Sequence, residues 1–411
     1  MMYKTIILFF FLSNFLPVLK INAQTALKKS YPVGENKARR IVDKVLASSP
    51  VIDGHNDLFI WYYGCRYKPL QGCPQDIADY PINILQVGHT DIPRWRKGGV
   101  GGVQLNVFAD SLSSFLDAYD LLYRMEKEYS NDLKIVGSSA ETKQAIKEGK
   151  IAIIPSLEGA IRLENKFSYL RTFYKLGLRS VTFTYHTSDL ADGSDDKPLH
   201  DGISSIGARM VKEMNELGII IDISHASSET MSDILRVSKA PVIFSHSNVR
   251  ALCNVKRNVP DSILHGLKSN GGIIMIDLVP EHTSEKFAAW MKEGDSLYYS
   301  IKERYPDDAK LLNNSMEKWE KENPQPEVTV RDVADHFDYV KEKIGVDYIG
   351  IGGDFDGITF TIKGLEDVSC FPALLVELAK RGWTESELMK ITGENYLRVF
   401  EKVELISQLD N

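Results

Sequence analysis

Nine histidines are few for a chain of 411 residues, and where they fall narrows the chemistry open to it. The short apolar runs of the sequence end in residues that bind metals. One closes on His55-Asn56-Asp57, another on Glu158, and two more on His225 and His246. Residues i and i+2 of a strand project to the same side, so His55 and Asp57 can present both ligand atoms together. Imidazole with carboxylate suits a borderline divalent ion such as zinc. The pair alone is weak evidence, because two polar residues in a loop look the same. Five ligands at the ends of different runs are stronger, and they are too many for one four-coordinate ion. They fit two Zn2+ ions per chain sharing Glu158 as the bridging carboxylate, with a hydroxide held between the metals and its pKa lowered toward neutrality.

Three further residues belong to this chemistry. Asp354, in Gly352-Gly353-Asp354-Phe355-Asp356-Gly357, is placed to handle the proton of the bridging water. Asp356 is read as a structural residue that holds the same loop by hydrogen bonds. Arg257, in the loop after His246, can clamp a substrate carboxylate with two parallel hydrogen bonds; a surface salt bridge is the ordinary alternative for an arginine.

Positioning these groups requires strands with a common end. The apolar, β-branched runs cover 51–57, 101–108, 151–158, 180–186, 219–225, 241–246, 272–279 and 348–354. Helix-patterned stretches lie between them, among them 208–217, 228–237 and 372–381. Near-continuous apolar strands alternating with helices indicate parallel strands buried on both faces, and eight such units close a TIM-type (β/α)8 barrel. The competing architecture is an open doubly wound sheet, but no glycine-rich phosphate turn follows the first strand. In such a barrel catalytic groups occupy the C-terminal strand ends. Residues 281–327, charged and helix-prone with Trp290, Tyr298, Tyr299 and Trp319, read as an insertion after the seventh run, either a lid or a solvated excursion. Thr384 and Glu387 form a capping box that opens C-terminal helices.

The composition is that of an ordinary globular chain, with 43% hydrophobic and 26% charged residues. A net charge of -7 argues against a nucleic-acid partner, whose phosphates need a basic surplus. Residues 1–23 have the basic start, apolar stretch and small residue before the cut of a secretory signal peptide, removed near Ala23; an uncleaved anchor is the alternative. What remains, 24–411, is expected to be one exported barrel domain, periplasmic or secreted, with no transmembrane segment. Cys65 and Cys73 flank a short loop and could oxidise to a local disulfide there, while Cys253 and Cys370 have no evident partners. Asn313-Asn314-Ser315 is a glycosylation sequon.

The motifs together resemble the membrane (renal) dipeptidase family, zinc metallopeptidases of the amidohydrolase-type barrel. The residues that carry the resemblance are Ile52-Asp53-Gly54-His55-Asn56-Asp57, Ser156-Leu157-Glu158-Gly159, Ile221-Asp222-Ile223-Ser224-His225, Pro241-Val242-Ile243-Phe244-Ser245-His246-Ser247, Arg257-Asn258-Val259-Pro260-Asp261 and the Gly352–Gly357 loop. Gly364-Leu365-Glu366-Asp367-Val368-Ser369 and Asn395-Tyr396-Leu397-Arg398-Val399-Phe400 extend it toward the end. The resemblance implies hydrolysis of dipeptides. His55 and Asp57 would hold one zinc, His225 and His246 the other, and Glu158 would bridge them; Asp354 would shuttle the proton and Arg257 would take the substrate's C-terminal carboxylate. Dimerisation is an expectation that the family alone supplies.

One position departs from the family pattern. A histidine at the end of the fourth strand should contact the substrate carbonyl. Here the run is Val181-Thr182-Phe183-Thr184-Tyr185-His186, which puts Tyr185 at that place and His186 one step late. A bulge would bring His186 round, and we expect His186 to make the contact, with the Tyr185 hydroxyl as the alternative. Two other functions use the same residues. A related dizinc amidohydrolase would act on N-acyl amino acids or a β-lactam ring, and a binding protein would keep the barrel without catalysis.

Overall fold

The β-branched runs form strands of a parallel sheet that closes on itself. A computed structural model describes residues 31–63, 81–84, 88–107 and 111–409. The strands are β1 (Val51–Asn56), β2 (Val100–Asn106), β3 (Leu133–Ile135), β4 (Ile151–Glu158), β5 (Ser180–Thr182), β6 (Ile220–Asp222), β7 (Ile243–Phe244), β8 (Ile273–Asp277) and β9 (Ile349–Gly352). All pairings between them are parallel. The order β1-β2-β4-β5-β6-β7-β8-β9 returns to β1 and makes an eight-stranded barrel. The fold is thus the TIM-type α/β barrel expected from the sequence. β3 is an addition the runs did not announce. It lies along the start of β4, while β5 pairs with its end.

Alternation along the strands builds two apolar layers. Ile151 and Ile153 pack outward with the surrounding helices. Ala152 and Ile154 join Ile52, Ile220, Ile243, Ile273 and Met275 in a second cluster. The last helix, Asn395–Leu409, covers that cluster with Tyr396, Val399, Phe400 and Val403, a helical spacing that puts all four on one face. The Thr384 capping box forms as expected at Glu385–Met389.

Following β8, helices Pro280–Thr283, Glu285–Arg304 and Ala309–Glu322 make up the insertion. Trp290 packs against Trp319 at 5.2 Å and Phe360 at 5.5 Å, and its indole donates to the Asn323 carbonyl. This base rests on the loop that follows β9, while the Ala309–Glu322 helix, which carries the exposed Asn313, buries no residue. Among the described residues no helix is long and apolar enough to cross a membrane. The leader and the Cys65–Cys73 pair lie outside the described residues; Cys253 and Cys370 are free thiols.

Candidate active site

Each barrel strand contributes a polar group at its C-terminal end. β1 is irregular in register between Asp53 and Asn56, and His55 within that stretch and Asp57 just after it reach the mouth. The close approach there explains two glycines: a Cβ on Gly54 would stand 2.3 Å, and one on Gly352 2.0 Å, from the Ser245 carbonyl oxygen. β5, β6 and β7 are shorter than their runs and end at Thr182, Asp222 and Phe244, so His225 and His246 sit on the segments that follow. His225 and Asp354 adopt φ of +62° and +54°, left-handed conformations that turn the chain at the strand end and aim both side chains inward.

Glu158 is the hub. Its Oε1 lies 3.1 Å from His225 Nε2, 3.3 Å from His246 Nε2 and 3.8 Å from His55 Nε2. His55 Nε2 is also 3.5 Å from Asp57 Oδ2 and, although buried, makes no hydrogen bond among the described residues. His225 and His246 face each other Nε2 to Nε2 at 3.0 Å. Two groups of ligand atoms lie within metal-binding reach: His55, Glu158 and His246, and His55, Asp57 and Asp354.

The electrostatics call for cations here. Burial opposes a charge on His55, yet Asp57, Glu158 and Asp354 overcome it and push the imidazole up to about 10. Burial, then the Arg257 charge, lowers His225 to about 4; burial and the neighbouring His55 lower His246 to about 3. Both therefore stay neutral, the form that binds metals. Burial works against ionisation of Glu158, but its three imidazole neighbours hold it well below the usual range. Asp354 is raised well above it, first by burial and then by the charges of Asp57, Glu158 and Asp277.

Sequence reasoning passed over the residues that hold these groups in place. Asn106, at the end of β2, donates to Asp57 Oδ1 (2.8 Å) and Glu158 Oε2 (3.3 Å) and accepts from the Glu158 N–H (3.1 Å). Asp222 accepts from Ser245 Oγ (2.6 Å), Thr182 Oγ1 (2.5 Å) and the N–H groups of Ser224 and Ser245 (2.9 Å each). With its proton committed to Asp222, Ser245 Oγ accepts from His246 Nδ1 at 2.7 Å, leaving the Nε2 lone pair directed at Glu158's side. Asp277, at the end of β8, is fully buried at the same level. Their common signal was position, since each lies among the last four residues of an apolar run.

His186 does not turn toward the cluster. Its side chain is 67% exposed and bonds through Nδ1 to Asp196 Oδ2 at 3.2 Å. Tyr185 faces the site instead, with its ring 4.9 Å from that of His225. Burial and the charges of Glu158, Asp57 and Asp354 push its hydroxyl up to about 12, so it remains a donor. No bulge intervenes, because the strand has already ended at Thr182. Asp356 Oδ1 accepts from Trp61 Nε1 (2.8 Å) and the His89 N–H (2.7 Å), the loop-holding bonds assigned to it. Arg257 is 3% exposed; Nη1 donates to Ser247 Oγ (2.5 Å) and Nη2 to the His246 carbonyl (2.6 Å), and no carboxylate pairs with it among the described residues.

Comparisons with known proteins agree with this architecture. The family model described as membrane dipeptidase (peptidase family M19) matches residues 39–411. A curated relative, the dipeptidase verJ of Clonostachys rogersoniana, is 33% identical over 383 residues, covering 89% of this chain and 87% of its own. The probable dipeptidase PvdM of Pseudomonas aeruginosa superposes with a TM-score of 0.75 at 23% identity, over 90% of this chain and 99% of that one. A metallo peptidase from Rhodobacter sphaeroides, solved with a phosphinate mimic of L-Ala-D-Ala, gives 0.68 at 22% identity over 86% and 99%. At these identities the solved structures show a shared fold.

Proposed function

The chain belongs to the membrane dipeptidase family, and from that premise we propose that it is a metal-dependent dipeptidase with two zinc ions at the barrel mouth. The observation that carries this reading is the convergence of three imidazole Nε2 atoms on one carboxylate oxygen, Glu158 Oε1. The donor set fits the metal: neutral His225 and His246, the bond-free Nε2 of His55, and the carboxylates of Asp57 and Glu158. His55 and Asp57 would hold one ion, His225 and His246 the other, with Glu158 shared. Bound zinc would supply an activated water as nucleophile and polarise the scissile carbonyl.

The chain's own residues do the rest. Arg257, a buried guanidinium with no carboxylate partner, binds the free C-terminal carboxylate of the substrate, which limits the site to short substrates. Asp354, raised into a range where it can carry a proton, takes one from the water and gives it to the leaving amine. The protonated Tyr185 hydroxyl, not His186, contacts the substrate carbonyl and donates to its developing negative charge. Residues 1–23 direct the enzyme out of the cytoplasm.

Metal analysis of the purified protein with a panel of L-L, L-D and N-acylated substrates tests the reading. Two zinc ions per chain and dipeptide hydrolysis are expected, with Asp354→Asn lowering kcat by about 10²- to 10⁴-fold. Activity confined to N-acyl amino acids, absence of zinc, or an unchanged rate in Asp354→Asn would refute it.

A further inference from the structure

At the end of β8 stands a carboxylate–imidazole pair that the chemistry above leaves idle. Asp277 Oδ1 accepts from Asn248 Nδ2 at 2.6 Å, and its Oδ2 meets His282 Nδ1 at 2.8 Å. Burial opposes its charge, but His282 and Arg257 keep the carboxyl below its usual range. An ionised carboxylate only accepts hydrogen bonds, so His282 Nδ1 carries a proton and the ring points Nε2 away from Asp277. That nitrogen makes no hydrogen bond among the described residues, and the side chain is 17% exposed.

The pair is built into the same frame as Arg257. His282 lies in the short helix that leaves the catalytic end of β8, and its charge reaches His225. Ser247 binds Arg257, and the next residue, Asn248, binds Asp277. Asn258, which follows Arg257, donates to the His282 carbonyl at 2.7 Å. Neighbouring residues therefore fix the guanidinium and the imidazole relative to each other from both sides. Two of the five N–H groups of Arg257 are spent on protein oxygens, through Nη1 and Nη2, while its buried Nε makes no hydrogen bond among the described residues and stays open to a carboxylate oxygen. A carboxylate has two oxygens to satisfy, and a second donor completes the match.

We propose that His282 is a second carboxylate-binding residue, its Nε2–H taking one oxygen of the dipeptide's C-terminal carboxylate while Arg257 takes the other. Asp277 is the positioning residue: by accepting from Nδ1 it turns Nε2 away from itself, and its negative charge would balance a proton on Nε2, so the site gains a donor without an uncompensated buried cation. This deepens the dipeptidase reading and rests on it.

The test uses the metal-loaded full-length protein. KM and kcat are measured on alanyl-alanine and its C-terminal amide, and affinity is measured by calorimetry for a phosphinate isostere of the same dipeptide, free and amidated. His282→Asn can still reach Asp277 but offers nothing at the Nε2 position; His282→Gln places an amide N–H near it. His282→Asn should raise KM and the isostere Kd for the free acids about 10- to 100-fold, with kcat falling far less and the amides nearly unaffected. His282→Gln should recover most of that loss. Wild-type affinity in His282→Asn, equal weakening of acid and amide, or rescue by Asn but not Gln would overturn the proposal. Arg257→Met is measured in parallel. If it leaves the preference for acid over amide intact, the carboxylate reading of the whole site fails; if it removes that preference and His282→Asn does not, only the role of His282 fails.

Discussion

His246 shows how much of the site is decided behind the candidate ligands. The chain Asp222–Ser245–His246 is a fixed sequence of donors and acceptors: Ser245 Oγ donates to the carboxylate and accepts from the imidazole. It commits Nδ1 to carrying the proton and frees Nε2 for a metal. Ser245→Ala should therefore weaken zinc binding about 10- to 100-fold, the usual cost of losing such a supporting bond. Competition with a chelator reads this directly, and thermal melting separates it from a folding defect. The rise in Tm on adding zinc should shrink, while the Tm of the metal-free protein stays close to wild type. Equal losses in both forms would mean that Ser245 only packs. The candidate ligands stand out in the sequence because they close apolar runs, as His55-Asn56-Asp57 and Glu158 do. Their partners were not, because Ser245 and Asp222 meet across two strands and no spacing along the chain records that contact.

Strand length separates what the runs could tell from what they could not. All eight runs form barrel strands, because burial on both faces demands continuous apolar sequence. The runs overstated where β5, β6 and β7 end, since residues such as Phe183, Ile223 and Ser224 stay buried beyond the strand ends. His225 then turns inward through a left-handed residue, a conformation about 1–3 kcal/mol uphill for a non-glycine. The placement of Tyr185 and His186 was misjudged for the same reason. A strand phase was extended past Thr182 into a loop, where Thr187 N–H and His186 Nδ1 both bond Asp196 and hold the imidazole outside. Where strands do meet, tolerances are tight. A methyl group on Gly352 would fall 2.0 Å from the Ser245 carbonyl oxygen, which is backbone and cannot rotate away. Gly352→Ala should cost about 1–3 kcal/mol or more, seen as a lower urea midpoint, and should disturb β7 and β9 together. A neutral result would show that the barrel can spread at this point.

Over the whole molecule, one histidine outside the site ties distant segments together and sets an acid limit on the fold. His336, on helix Val330–Lys343, accepts from the Val249 N–H at Nδ1 and bonds the Thr283 carbonyl through Nε2, both at 3.2 Å. The helix is thereby fastened to the loops after β7 and β8, the two loops that carry Arg257 and His282. Neutral imidazole satisfies both bonds, one as acceptor and one as donor; a second proton would destroy the first. Burial, only partly offset by the Thr283 carbonyl and Asp277, lowers its pKa to about 4, against about 6.5 in the unfolded chain. Between those values the unfolded state binds more protons, so stability rises with pH across the window. The contribution is complete above pH 6.5 and lost as pH falls toward 4, with an upper bound of about 3 kcal/mol. Other acidic groups of the chain respond to the same change of pH, so the measurement is a difference. Unfolding of the chelated protein is followed at pH 7 and pH 5 for wild type and His336→Gln. The variant should start less stable at pH 7, by roughly 1–3 kcal/mol for the broken pair of bonds, and lose less on acidification. Parallel losses between pH 7 and pH 5 in the two proteins would mean that His336 is not the group whose protonation loosens these loops.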